Sequence, residues 1–177
     1  MTRIDEIRGE FIELWGRMSS LWGITPATGR VYGWLITQPD PVDAETVMEG
    51  LSMSRGAVSM ACRELVDWGL VHPERVAGSR RVAYRAETDL EKVVRAVVAT
   101  RKRREWDPVM ERLDEWIPGL KGERSREAKV LRERLEDISA LVGVADEAAR
   151  QFLAGGIVQK LGMQMLMSKA AKARRKR

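Results

Sequence analysis

Residues 51–71 read Leu51-Ser-Met-Ser-Arg-Gly-Ala-Val-Ser-Met-Ala-Cys-Arg-Glu-Leu-Val-Asp-Trp-Gly-Leu-Val71. Within this stretch Val58, Ala61, Cys62, Leu65 and Trp68 recur at steps of three and four, so they share one face of a helix. Ser54 stands where an N-cap side chain would open that helix, and Gly69 supplies the left-handed residue that closes it. The opposite face carries Arg55, Gly56, Ser59, Met60 and Arg63, which are short, polar or basic. One helix therefore combines an apolar anchor with an outward face able to reach a charged, grooved surface.

Working outward, Asp43 is a good N-cap for a short helix containing Ala44, Val47, Met48 and Leu51, with Gly50 to Ser54 as the turn that follows. Thr25-Pro26 opens an earlier helix, because proline at the first helical position loses nothing by lacking an N–H. That helix runs to Leu35 or Ile36, buries Val31, Trp34 and Leu35, and stops at Gln38-Pro-Asp-Pro41. Downstream, Val71–Val76 and Arg81–Arg85 read as two short strands joined by Ala77-Gly-Ser-Arg80. Helix, helix, turn, helix and two-stranded hairpin, in that order, is the layout of a winged helix-turn-helix.

The flanks are helical. Ile4, Ile7, Phe11, Leu14, Trp15, Met18 and Leu21 mark an amphipathic helix before this unit. After it, Leu90, Val93, Val94, Val97 and Val98 form a stripe that leads into the basic run Arg101-Lys-Arg-Arg104 and then Trp106. Asp107-Pro108 restarts or kinks the helix, and Pro118-Gly119 with Gly122 breaks it. Ser125 opens a helix whose Leu131, Leu135, Ile138 and Val142 suit packing against a partner helix, and a last helix starts near Asp146. The expected fold is mainly α with a small β-hairpin wing: a dimerisation helix over 1–21, the winged helix-turn-helix over 22–88, and a helical dimerisation region with a basic tail over 89–177.

Composition limits the chemistry. The 177 residues carry a net charge of +5, which favours an anionic partner. Cys62 is the only cysteine and His72 the only histidine, so one chain has neither an internal disulfide nor the usual zinc ligand set. No metal or cofactor is expected, and with no phosphate loop or nucleophile motif no enzyme activity is expected either. The charged N-terminus has no apolar signal region and the apolar stretches are too short for a bilayer, so the expected location is cytoplasmic, without membrane attachment.

The residues that would meet double-stranded DNA are Ser54, Arg55, Gly56, Ser59, Met60 and Arg63 on the helix, with Arg75, Ser79, Arg80 and Arg81 around the hairpin. Arg55 or Arg63 has the geometry for a bidentate guanine contact, Ser59 suits a base or a phosphate, and a basic wing is drawn to a minor groove or flanking phosphates. A dimer would place two such helices about one duplex turn apart, giving a pseudo-palindromic operator. The alternative is a winged-helix protein-interaction module without sequence-specific DNA binding.

Residues 51–71 resemble the recognition-helix signature of the GbsR branch of MarR-like regulators. Trp22-Gly-Ile-Thr-Pro-Ala-Thr-Gly-Arg-Val-Tyr-Gly-Trp-Leu35 and Arg101-Lys-Arg-Arg-Glu-Trp-Asp-Pro108 resemble other segments of that family. The resemblance covers residues 5 to 117 and departs at Ala57, where the family often has a polar residue, and at the wing, Val76-Ala-Gly-Ser-Arg-Arg-Val-Ala-Tyr84, which is compact. It implies a homodimeric repressor or activator responsive to a small molecule, with osmoprotectants as the linked chemistry. Trp15, Trp22, Trp34 and Trp106 are the candidate effector-binding residues, since an aromatic cage attracts quaternary ammonium groups. The competing reading is that each tryptophan packs in the core.

Overall fold

The computed structural model describes residues 2–75, 78, 81–155 and 164. The chain divides into two compact units, residues 1–97 and 98–177. The division falls inside a helix rather than at the end of the wing.

The first unit opens with α1 (Arg3–Ser19), capped by Thr2 and Asp5 in a reciprocal capping box. A 3-10 turn over Ser20–Trp22 and left-handed Gly23 lead to α2 (Pro26–Leu35), whose N-cap Thr25 accepts the amide of Thr28. β1 (Val42–Asp43), α3 (Ala44–Leu51), α4 (Arg55–Asp67), β2 (Val71–Arg75) and β3 (Val82–Ala86) complete the winged helix. The sheet is antiparallel in the order β1-β3-β2, with Val71 opposite Ala86, Arg75 opposite Val82 and Val42 opposite Tyr84. The expected two-stranded hairpin thus gains a third strand. Two residues carry no alternation to read, so β1 has no signature in the sequence.

The core is assembled from the helical faces the sequence marks. Val31, Tyr32, Val47, Val58, Cys62, Leu65, Leu70 and Val71 are almost fully enclosed. Burying one such side chain contributes about 1.5–3 kcal/mol, so α4 is anchored mainly by Val58 and Leu65. The Tyr32 hydroxyl donates to the Glu87 carbonyl at 2.8 Å, tying α2 to the end of the wing. The thiol of Cys62 is pushed up to about 11 by burial, so it packs as an apolar group.

Two glycines have steric tasks. α1 and α2 meet through small residues: a Cβ on Gly29 would lie 1.8 Å from Ser19 Oγ and 3.1 Å from Gly16 Cα. Gly50 belongs to α3 and not to the turn, and the Trp34 indole, 2.6 Å from where its Cβ would be, leaves room for glycine alone. The left-handed residue of the turn is Ser52, at φ 51, with the Met53 amide donating to Met48 O. The α1 face used inside the unit is Ile12, Gly16 and Ser19, whereas Ile4, Ile7, Leu14 and Leu21 are exposed.

α5 (Leu90–Arg101) crosses the division, with Val93 buried in the first unit. In the second unit a π-helical turn over Lys102–Trp106 precedes α6 (Asp107–Gly119), which enters at Asp107-Pro108. α6 keeps Pro118 within its last turn and ends at Leu120. α7 (Arg126–Leu153), capped by Ser125, is continuous. The break expected before Asp146 is absent, since Gly143 alone costs a helix only about 1 kcal/mol. Asp146 is buried there against Lys102, at 2.7 Å, and Arg150, at 2.9 Å. The basic run before α6 is partly spent on such pairs: Arg101 holds Glu105 at 2.7 Å and Lys102 also meets Asp107. Among the described residues no helix is long and apolar enough to cross a membrane.

Candidate nucleic-acid interface

α4 is positioned by its two ends. At the start, Ser54 Oγ accepts the Ala57 amide at 3.3 Å. At the end, Gly69 takes φ 70, its amide donates to Val66 O, and the Leu70 amide donates to Leu65 O. This pair of bonds is a Schellman closure, and it turns the chain directly into β2. Thr28 Oγ1 donates to Glu64 Oε2 at 2.8 Å, adding a polar tie between α2 and α4. With Val58, Ala61, Cys62 and Leu65 buried, the other face must point outward. Arg55, Gly56, Ser59, Met60 and Arg63 are all exposed, Arg55 with 78% of its side chain accessible. Apart from its chain neighbours and its own helix backbone, no heavy atom of the described residues lies within 4 Å of a Cβ built on Gly56, so the first turn of the helix is open to a close approach.

The wing stands beside that turn. Arg75 ends β2 and Arg81 precedes β3, both exposed. Gly78 takes φ 74 between them. Ser79 and Arg80 lie outside the described residues. Arg55, Ser59 and Arg81 line one cleft of about 320 Å³, together with Met48, Val82 and Tyr84. The structure therefore brings the start of α4 and the base of the wing together around a shared opening.

That opening also contains acids that reading the sequence missed. Asp43 Oδ2 accepts from Arg81 Nη1 at 2.9 Å, and Glu45 Oε2 lies 2.8 Å from the same nitrogen. Glu45 Oε1 is 3.7 Å from Arg55 Nη2. Hydrogen bonds from the Thr46 amide and hydroxyl, then from Arg81, hold the Asp43 carboxyl below its usual range. Arg81 is raised in turn, first by its bond to Asp43. Asp43 and Glu45 look in the sequence like an N-cap and a first-turn acid; only β1 and the sheet register bring Arg81 to them.

Three of the four tryptophans lie in the first unit. Trp15 and Trp22 meet edge to face at 5.5 Å, with Phe11 5.3 Å and Tyr32 5.9 Å from Trp15. Trp34 is buried against Gly50, and Trp106 belongs to the second unit.

Residues 22–82 match the model of the MarR family. The match spans the winged helix from the end of the 3-10 turn to the start of β3. Within it, α2 to the start of β3 carries the whole outward face of α4. The chain is 32% identical over 77 residues to the HTH-type transcriptional regulator MmpR5 of Mycobacterium tuberculosis. The match takes in 43% of this chain and 47% of the relative, so the chain spans about half the length of that protein. A crystal structure of a transcriptional regulator superposes with a TM-score of 0.63 at 22% identity. It covers 83% of this chain and 95% of its own, a likeness of fold. An S. aureus MepR–DNA complex aligns over 59% of this chain and 87% of its own, with a TM-score of 0.39 and 18% identity.

Proposed function

We propose that this protein is a sequence-specific DNA-binding transcriptional regulator, a repressor of the GbsR-type branch acting in the cytoplasm as a homodimer and without enzymatic activity. The observation that carries the reading is the outward face of α4, with Arg55, Ser59 and Arg63 exposed over a fully buried Val58 and Leu65 inside the MarR-matching segment. A helix so anchored can enter a major groove with its N-terminal residues on base edges, while Arg75 and Arg81 take flanking phosphates.

The apolar residues left exposed along α1 and the 3-10 turn after it support the dimer. Ile4, Ile7, Leu14 and Leu21 are between 52% and 75% accessible, and their spacing alternates threes and fours when Phe11 and Met18 are included. Such a seam suits a second helix. On α7, Leu131, Ile138 and Leu141 are similarly exposed. Of the effector residues, Trp15 and Trp22 set two ring faces nearly at right angles, an aromatic corner that a small cation would use.

Titration of labelled operator and scrambled duplexes with Arg55→Ala and Arg63→Ala chains tests the reading. An arginine on a guanine loses about 1–3 kcal/mol and relaxes preference at one base position, whereas one on a phosphate loses affinity equally on both duplexes. If neither substitution alters binding to any duplex, the protein-interaction alternative replaces this one.

A further inference from the structure

The bridge made by Glu45 has a role of its own on the proposed DNA face. Its two carboxylate oxygens go to two arginines from different elements: Oε2 to Arg81 at the base of the wing, at 2.8 Å, and Oε1 to Arg55 in the first turn of α4, at 3.7 Å. The ordinary account of an acid in a first helical turn is its attraction to the helix dipole, which asks for no partner outside the helix. Here the side chain instead spans the opening between α4 and the wing. A guanidinium engages a carboxylate and a phosphate through the same donors. The position between Arg55 and Arg81 is therefore one that a backbone phosphate would take. All three side chains are half exposed or more, so the Glu45 bridge can exchange without unfolding anything, while the less exposed Asp43 carboxyl keeps its 2.9 Å bond to Arg81.

We propose that Glu45 is an internal stand-in for a DNA phosphate, holding Arg55 and Arg81 in the DNA-free protein and giving them up when a duplex binds. This rests on the DNA-binding reading above. Binding then exchanges an intramolecular carboxylate for a phosphate, which lowers affinity for any duplex by the same factor. Phosphate contacts carry no sequence information, so preference among sequences is left as it is.

The test compares the parent chain with Glu45→Gln by fluorescence anisotropy, on an operator duplex and a scrambled one, from about 50 to 200 mM salt. Glu10→Gln, an equal change of charge on an exposed face of α1, is the control, and circular dichroism confirms folding of each variant. The expected result is about 2- to 5-fold tighter binding of both duplexes by Glu45→Gln, largest at low salt, with a slope against salt steeper by up to about one phosphate. Glu10→Gln should give a smaller change. Two results overturn the proposal: equal affinities for Glu45→Gln and Glu10→Gln, or weaker binding of the operator alone, which would make Glu45 a reader of a cytosine amino group. If the parent chain binds neither duplex, the regulator reading fails. Heparin chromatography then still decides the masking: Glu45→Gln should elute at higher salt than both other chains, and co-elution refutes it.

Discussion

Replacing Gly29 by alanine tests the packing that seats α1 on the winged helix. The new Cβ would stand 1.8 Å from Ser19 Oγ, 2.7 Å from Ser19 Cβ and 3.1 Å from Gly16 Cα. Non-bonded carbons prefer about 3.5–4.0 Å, so Ser19 Cβ has to retreat by roughly 1 Å. Rotating the hydroxyl is not enough, and it would also break the 2.9 Å bond from Ser19 Oγ to Gly16 O in a buried setting. Overpacking of this kind costs about 1–3 kcal/mol, and the lost hydrogen bond about 0.5–1.5. Against that, glycine to alanine inside a helix contributes up to about 1 kcal/mol. The expected net loss is about 2 kcal/mol, a fall in melting temperature of roughly 10 °C for a unit of this size. Gly56→Ala is the matched control, since open space surrounds that position. It should be neutral or slightly stabilising. Urea titration followed by tryptophan fluorescence measures both. A Gly29→Ala chain as stable as the parent would refute the close helix contact.

Three further outcomes are expected. Tyr32→Phe removes the donor to the Glu87 carbonyl at a fully buried site and should cost about 1–2 kcal/mol in the same titration; no loss would mean the bond is not maintained in solution. The Asp146 carboxyl is held below its ordinary 3.8, first by its bond to Lys102. Its contribution is therefore complete above that value and is lost as pH falls through the depressed one, so Asp146→Asn should destabilise at pH 7 but converge with the parent in acid. A gap that persists unchanged at low pH would contradict the pairing. Finally, Ile7→Asp should shift the assembly toward monomer by analytical ultracentrifugation, since Ile7 is 52% exposed on the proposed seam of α1; an unchanged assembly would move the interface elsewhere.

The parts of the fold that could be read from sequence are those where capping chemistry and apolar periodicity agree. Thr25-Pro26, Asp43, Ser54, Gly69 and Ser125 each mark a helix end that the structure contains. The failures have local causes. Gly50 looks like a turn residue, yet it lies within α3 and is glycine because Trp34 needs the space, a tertiary demand invisible in the chain. Ser52 adopts the left-handed turn conformation although serine seldom does. Gly143 does not interrupt α7, since one glycine is too small a penalty for a helix of 28 residues.

The candidate interface divides the same way. Exposure of Arg55, Ser59 and Arg63 follows from the apolar face opposite them. The Asp43–Arg81–Glu45 cluster depends on strand register across a separation of 38 residues, which no local pattern encodes.

The central claim is that the outward face of α4 reads duplex DNA. Enrichment of bound duplexes from a randomised pool, performed with the parent chain and with Arg63→Ala, measures this most directly. The account predicts a two-fold symmetric motif with half-sites about one helical turn apart, in which Arg63→Ala relaxes a position or lowers the overall yield. A pool that remains random after repeated selection with the parent chain would contradict it.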